Sequence, residues 1–174
     1  MTNFEIATLS FSGGSLVVSL VTLIIVFRQL KTANISIQKD HTRRERQATL
    51  EFLQYNFPKI NDHYWELKHK YGQDRVWSND TINKIEDDKD AKTSINEILD
   101  RIEFLSIGVY RGVYSFDVVY DFAELQLIRM HQHVWPIVLH WQEKYNREDL
   151  FETFDLLVRR IKEERTPPKQ IEKI

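Results

Sequence analysis

The sequence predicts an all-α protein: a transmembrane helix at the N-terminus, a stalk continuing from it, and a cytoplasmic bundle of about four to five helices. Three observations carry this. Residues 6–27 form a run of 22 residues without a charge. Apolar residues through the rest of the chain recur at three- and four-residue spacings, the period of an amphipathic helix. No segment alternates apolar and polar residues as a half-buried strand would.

The run from Ile6 to Phe27 has the length of one bilayer crossing, since a hydrocarbon core of about 30 Å takes roughly 20 helical residues. A cleaved signal peptide would carry a basic segment before the run, and residues 2–8 hold no Lys or Arg. A buried core helix is the remaining alternative. Ser12, Ser15, Ser19 and Thr22 fall on one face, where small residues let two membrane helices approach closely or simply bond back to their own carbonyls.

Charge is segregated along the chain. Net charge is −2 overall, but residues 28–46 place Arg28, Lys31, Lys39, Arg43, Arg44 and Arg46 against Asp40 and Glu45, a net +4. With only Glu5 charged before them, the rest of the chain carries −5. A basic collar after an apolar run predicts, by the positive-inside rule, that residues 28–174 are cytoplasmic and the N-terminus outside. The collar would also meet anionic lipid. Nucleic acid is not an expected partner, because the positive charge is not on the folded body.

The division that follows is a transmembrane helix at 6–27, a basic stalk at 28–47, a helical domain at 48–165 and a disordered tail at 166–174. No Gly or Pro falls between Ser15 and Phe57, so one helix is expected to leave the membrane and enter the domain near Ala48, with Pro58 ending or kinking it. Phe57, Ile60, Tyr64, Leu67 and Tyr71 give the next stripe, closed by Gly72. Residues 73–92 read as a loop with one short helix after Ser78, its acidic cluster Glu86–Asp90 simply solvated. Ile95, Ile98, Leu99, Ile102, Leu105 and Val109 mark a clear helix. Ser115 is expected to cap the next one, which is apolar on most sides and so expected to be central. Pro136 marks a kink or fresh start. Asn146 with Asp149 is expected to open the last helix, which ends at Thr166-Pro167-Pro168.

No pattern of residues points to catalysis. There is no Cys, which excludes disulfide, thiolate and iron–sulfur chemistry. Phosphate loops, nucleophile elbows and paired metal-binding histidines are missing from the sequence. Glu66-Leu67-Lys68-His69 matches half of a di-iron helix motif, but no second copy exists. Arg129 and His133 do not keep the wider Arg-to-His spacing of small helical ribonucleases. No catalytic, cofactor or metal residue is therefore assigned. Trp135, Trp141 and Tyr145 are core filler or, with Arg129 and His133, a partner or ligand surface, because Trp, Tyr and Arg concentrate at binding hot spots.

Two short segments carry a resemblance. Glu103-Phe104-Leu105-Ser106-Ile107-Gly108-Val109 with Gly112-Val113-Tyr114, and Arg46-Gln47-Ala48-Thr49, are similar to those of a bacterial family of single-pass, membrane-anchored helical proteins known only as a domain of unknown function. The similarity covers most of residues 10–162 and implies the architecture without implying an activity. Read physically, Glu103 lies near an apolar helix face and needs a partner, Arg111 or Arg129 being the candidates. Gly108 would admit a neighbouring helix, and Gly112 suits a left-handed turn.

Two functional readings follow. The first is a non-enzymatic protein of the bacterial inner membrane whose cytoplasmic domain binds a partner protein or assembles into a homo-oligomer. The second is a membrane effector or sensor in a defence or stress pathway, its domain binding a small anionic signal such as a nucleotide. A membrane-tethered hydrolase is a third class that the sequence leaves open.

Overall fold

The computed structural model describes residues 3–72 and 76–165, with side chains from Thr22 onward. It holds five helices and, among the described residues, no strand: α1 (Asn3–Tyr71), α2 (Asn79–Asp87), α3 (Lys89–Tyr110), α4 (Phe116–Tyr145) and α5 (Glu152–Glu164). The expected tail lies outside these residues. The chain divides into two compact units, residues 1–44 and 45–174.

The first unit is helical from Asn3. Every described side chain from Thr22 to Arg44 is exposed. Thr32 and Thr42 donate their hydroxyls to the carbonyls of Arg28 and Gln38, four residues back. Arg44 pairs with Asp40 at 2.7 Å. Among the described residues no helix is long and apolar enough to cross a membrane. Of the expected span, only Thr22–Phe27 have described side chains.

The second unit is a helical bundle with one apolar core. From α1 it buries Leu53, Phe57, Ile60, Tyr64 and Leu67, alternating four- and three-residue steps along one face. Pro58 neither ends this helix nor interrupts the stripe. The reason is its side: Pro58 and Gln54, whose carbonyl loses its donor, are both exposed, so water can replace the missing bond. Pro136 is likewise inside α4 rather than at a new start.

α2 begins at Ser78, whose hydroxyl accepts from the Thr81 amide at 3.3 Å. It buries Ile82 and Ile85 beside Trp77. The acidic cluster Glu86–Asp90 is expected from sequence to be simply solvated, and it is not: Glu86 and Asp88 have partners on other helices. Asp88 caps α3, its Oδ1 accepting from the amides of Asp90 (3.0 Å) and Ala91 (3.1 Å). Its Oδ2 takes the Lys70 ammonium and the Tyr71 hydroxyl, tying down the end of α1. These bonds, from Lys70 first, hold its carboxyl far below the usual range. Glu86 accepts from Trp141 Nε1 and Lys144 Nζ on α4. Burial would raise its pKa, but the bonds from Lys144 and Trp141 outweigh it and hold it at about 2.

α3 supplies Ile95, Ile98, Leu99, Ile102 and Leu105, each fully inaccessible. α5 packs on both α3 and α4, burying Phe154, Leu157, Val158 and Ile161. His131 of α4 reaches Asp155 of α5 at 2.9 Å and stacks on Trp135 at 4.6 Å. Burial lowers its pKa against the opposing pull of Asp155. The last helix does not open at Asn146. That residue ends α4 in a left-handed conformation (φ 52°), and residues 147–151 form a turn held by Gln142 Nε2, which donates to the carbonyls of Glu148 and Leu150.

α4 is the central helix, as its composition implies: it buries more residues than any other and meets α1, α2 and α5. Val119, Ala123, Leu127, Met130, Val134 and Ile137 are buried, but Phe122 is 70% and Leu125 46% exposed.

Candidate functional site

Two regions of the second unit collect the residues singled out from sequence. The first is where α3 turns into α4. Gly112 has φ +68°, as a left-handed turn requires, and the amides of Val113 and Tyr114 donate back to the Gly108 carbonyl at 2.9 and 3.1 Å. Gly108 makes room for a ring rather than a helix. A Cβ there would lie 2.1 Å from Tyr114 Cδ2. That ring packs with Phe52 (5.2 Å) and Phe104 (6.2 Å).

Thr49 joins this turn to α1. It is fully buried; its hydroxyl donates to the Glu45 carbonyl at 2.6 Å and accepts from the Ser115 amide at 2.7 Å. Ser115 does stand at the start of α4, but it offers no side-chain cap. Glu103 pairs with neither Arg111 nor Arg129. Its carboxylate accepts from the amides of Thr153 (3.3 Å) and Phe154 (2.7 Å), the first turn of α5. α5 starts at Phe151, which has no capping side chain, so a carboxylate from α3 does that work.

A family model described as a domain of unknown function, DUF4760, matches residues 11–161. The chain belongs to the DUF4760 family. No curated protein and no solved structure matches it. In this DUF4760 domain the turn is structural: Gly108, Thr49 and Glu103 all satisfy backbone or ring contacts inside the protein.

The second region is a groove of about 830 Å³ between α1 and α4. Asn61, Tyr64, Trp65 and Lys68 come from α1, and Arg129 and His133 from α4. His133 is 6% exposed. Its Nδ1 lies 2.9 Å from the Arg129 carbonyl and 2.9 Å from the Tyr64 hydroxyl. Tyr64 is pushed up to about 12 by burial, against the pull of Arg129. Two of the residues that line it each have an atom closed off from solvent and without a hydrogen-bond partner, Asn61 Oδ1 and His133 Nε2; Trp77 Nε1 and Arg101 Nε are in the same state away from the groove.

The expected ligand surface is only partly assembled. Arg129 and His133 share the groove. Trp141 instead is core, its indole bound to Glu86; Trp135 packs on His131 and Phe154; Tyr145 is exposed at the end of α4. Helical spacing put these residues on one element but not on one side of it. Tyr64, Trp65 and Asn61 were missed, and their signal was present: two adjacent aromatics in α1, only one of which the buried stripe can use.

Of the remaining assignments, Ser12, Ser15 and Ser19 lie outside the residues with described side chains, and Thr22 is exposed. Arg28, Lys31, Lys39, Arg43 and Arg44 are exposed in the first unit. Arg46 belongs to the second and lies 3.8 Å from Asp117. Among the described residues no group of three or more His, Asp or Glu could hold a metal ion.

Proposed function

We propose that this DUF4760 protein is a membrane-anchored interaction module without a catalytic role. Residues 6–27 anchor it in the bacterial inner membrane, and the helical domain sits on the cytoplasmic side, where it binds a partner protein or a second copy. One observation carries the reading. Leu23, Ile24, Ile25, Val26 and Phe27 are consecutive and all are 45% or more exposed. At about 100° per residue, five in a row cover the whole circumference of a helix, so no single packing partner on one side would bury them. Lipid buries all sides at once. The uncharged residues before them and the cations Arg28 and Lys31 after them support the same reading.

Membrane fractionation tests it. The full chain should stay with the membrane through a high-salt wash and be released by detergent. A chain lacking residues 1–27 should be found in the soluble fraction. Release of the full chain by salt alone would overturn the anchor.

A further inference from the structure

The first unit carries an apolar seam that no described residue covers. Leu23, Val26, Leu30, Ala33 and Ile37 follow one another at steps of three, four, three and four residues. At about 100° per residue they fall within an arc of roughly 80°. All five are exposed. The cations of the stalk avoid this side. Arg28, Lys31, Lys39 and Arg43 lie at least about 120° around the helix from the middle of the seam. Ile35 is the one apolar residue of 28–44 on the far side.

A seam this narrow fits one helix of the same repeat. Alternating steps of three and four mark a coiled coil, in which each apolar side chain enters a hole made by four residues of the facing helix. The face a helix lays on a globular core is wider. The positions flanking the seam, Gln29, Asn34 and Ser36, carry no charge, so a second identical stalk meets no like charge there. Asp40 and Arg44 continue the same face past Ile37 and pair with each other at 2.7 Å. In a parallel pair of stalks Arg44 of one copy packs beside Asp40 of the other, so the four charges alternate and cancel. A polar layer of this kind fixes register.

We propose that the protein forms a parallel pair through this seam, the apolar face of each stalk being covered by the stalk of a second copy. The parallel direction rests on the proposed anchor, which puts both stalks on the same side of one membrane. Anchoring also raises the effective concentration of two seams too short to pair strongly in free solution. Lipid still covers Leu23–Phe27 on the other sides of the helix, since the seam takes only one.

The sequence has no Cys, so single cysteines in the full chain report on the seam without background. In isolated membranes treated with a mild oxidant, Leu30→Cys, Ala33→Cys and Ile37→Cys should each give a disulfide-linked dimer on a non-reducing gel. Thr32→Cys, Ile35→Cys and Lys39→Cys, on the far side, should give at least about fivefold less, because a disulfide needs Cα atoms within about 7 Å. Ile35→Cys separates the seam from apolar character alone. Adding Leu30→Glu and Ile37→Glu to the Ala33→Cys chain should abolish its dimer by setting like charges against each other. The seam is overturned if no position links, if both sides link equally, or if only one of the three seam positions links, as in a crossed or antiparallel contact. Fractionation of the same samples reads the anchor separately. Protein released by salt that still links with this period keeps the seam and loses the anchor; protein that stays with the membrane without the period does the reverse.

Discussion

The turn between α3 and α4 and the groove between α1 and α4 lie in the same helical unit and treat polar groups in opposite ways. At the turn the buried groups find partners. Thr49 serves Glu45 and Ser115, the Gly108 carbonyl takes two amides, and Tyr114 fills the space a Cβ would need. At the groove two buried polar atoms, Asn61 Oδ1 and His133 Nε2, are left over, and Lys68 and Arg129 form no ion pair among the described residues. A saturated region answers to stability, because any change removes a contact. An unsaturated one is held at a cost that packing alone would have removed. The contrast separates residues whose polar atoms are all used inside the domain from residues with a buried atom to spare.

Substitutions can break that contrast or sharpen it. The largest effect is expected from Gly108→Ala, since the new methyl overlaps the Tyr114 ring. A loss of about 3 kcal/mol or more, or roughly 10 °C in melting temperature, should appear in thermal denaturation followed by circular dichroism. Combining it with Tyr114→Ala should cost less than the sum of the two single changes. Thr49→Val should come next. It strands the Ser115 amide in the interior and should lower stability in urea titration by about 2 kcal/mol.

A third effect is read in pH. The Glu86 carboxyl sits at about 2 against an ordinary value of 4.5, so the folded state favours its charged form. That contribution is complete above pH 4.5 and is lost as pH falls towards 2. It should amount to about 1–2 kcal/mol once screening at the exposed Lys144 is allowed for, and Glu86→Gln should flatten the loss over that window. The smallest effect, and the opposite in kind, belongs to Asn61→Leu. Removing a buried acceptor that has no partner relieves its desolvation cost, so stability should hold or rise by about 1 kcal/mol. A loss of more than about 1 kcal/mol in urea titration would place the groove among the saturated regions and dissolve the contrast.

The helices of this domain were legible because their buried positions repeat. Leu53 to Leu67, Ile95 to Leu105 and Phe154 to Ile161 are read directly from spacing. Gly72 and Gly112 were legible for a related reason, since local backbone chemistry marks a left-handed residue. What failed was everything set by partners distant in sequence. Pro58 reads as a break because its effect depends on which side faces water. Glu103 reads as half of an ion pair because the helix start it caps is some 50 residues away. Glu86 and Asp88 read as solvated because their partners are on other helices. The groove was half legible: Arg129 and His133 stand out as chemistry, whereas Asn61 and Tyr64 become part of a site only when α4 is laid beside α1.

Glu103 also determines how α5 can come undone. Helix ends ordinarily fray, and their first amides exchange with solvent hydrogen quickly. The amides of Thr153 and Phe154 are held by a carboxylate rooted in α3, so local fraying does not release them. Their deuterium uptake should be as slow as that of the core of α3, and Glu103→Ala should restore fast exchange at these two positions alone. The start of α5 is thus clocked by its neighbour and not by its own sequence.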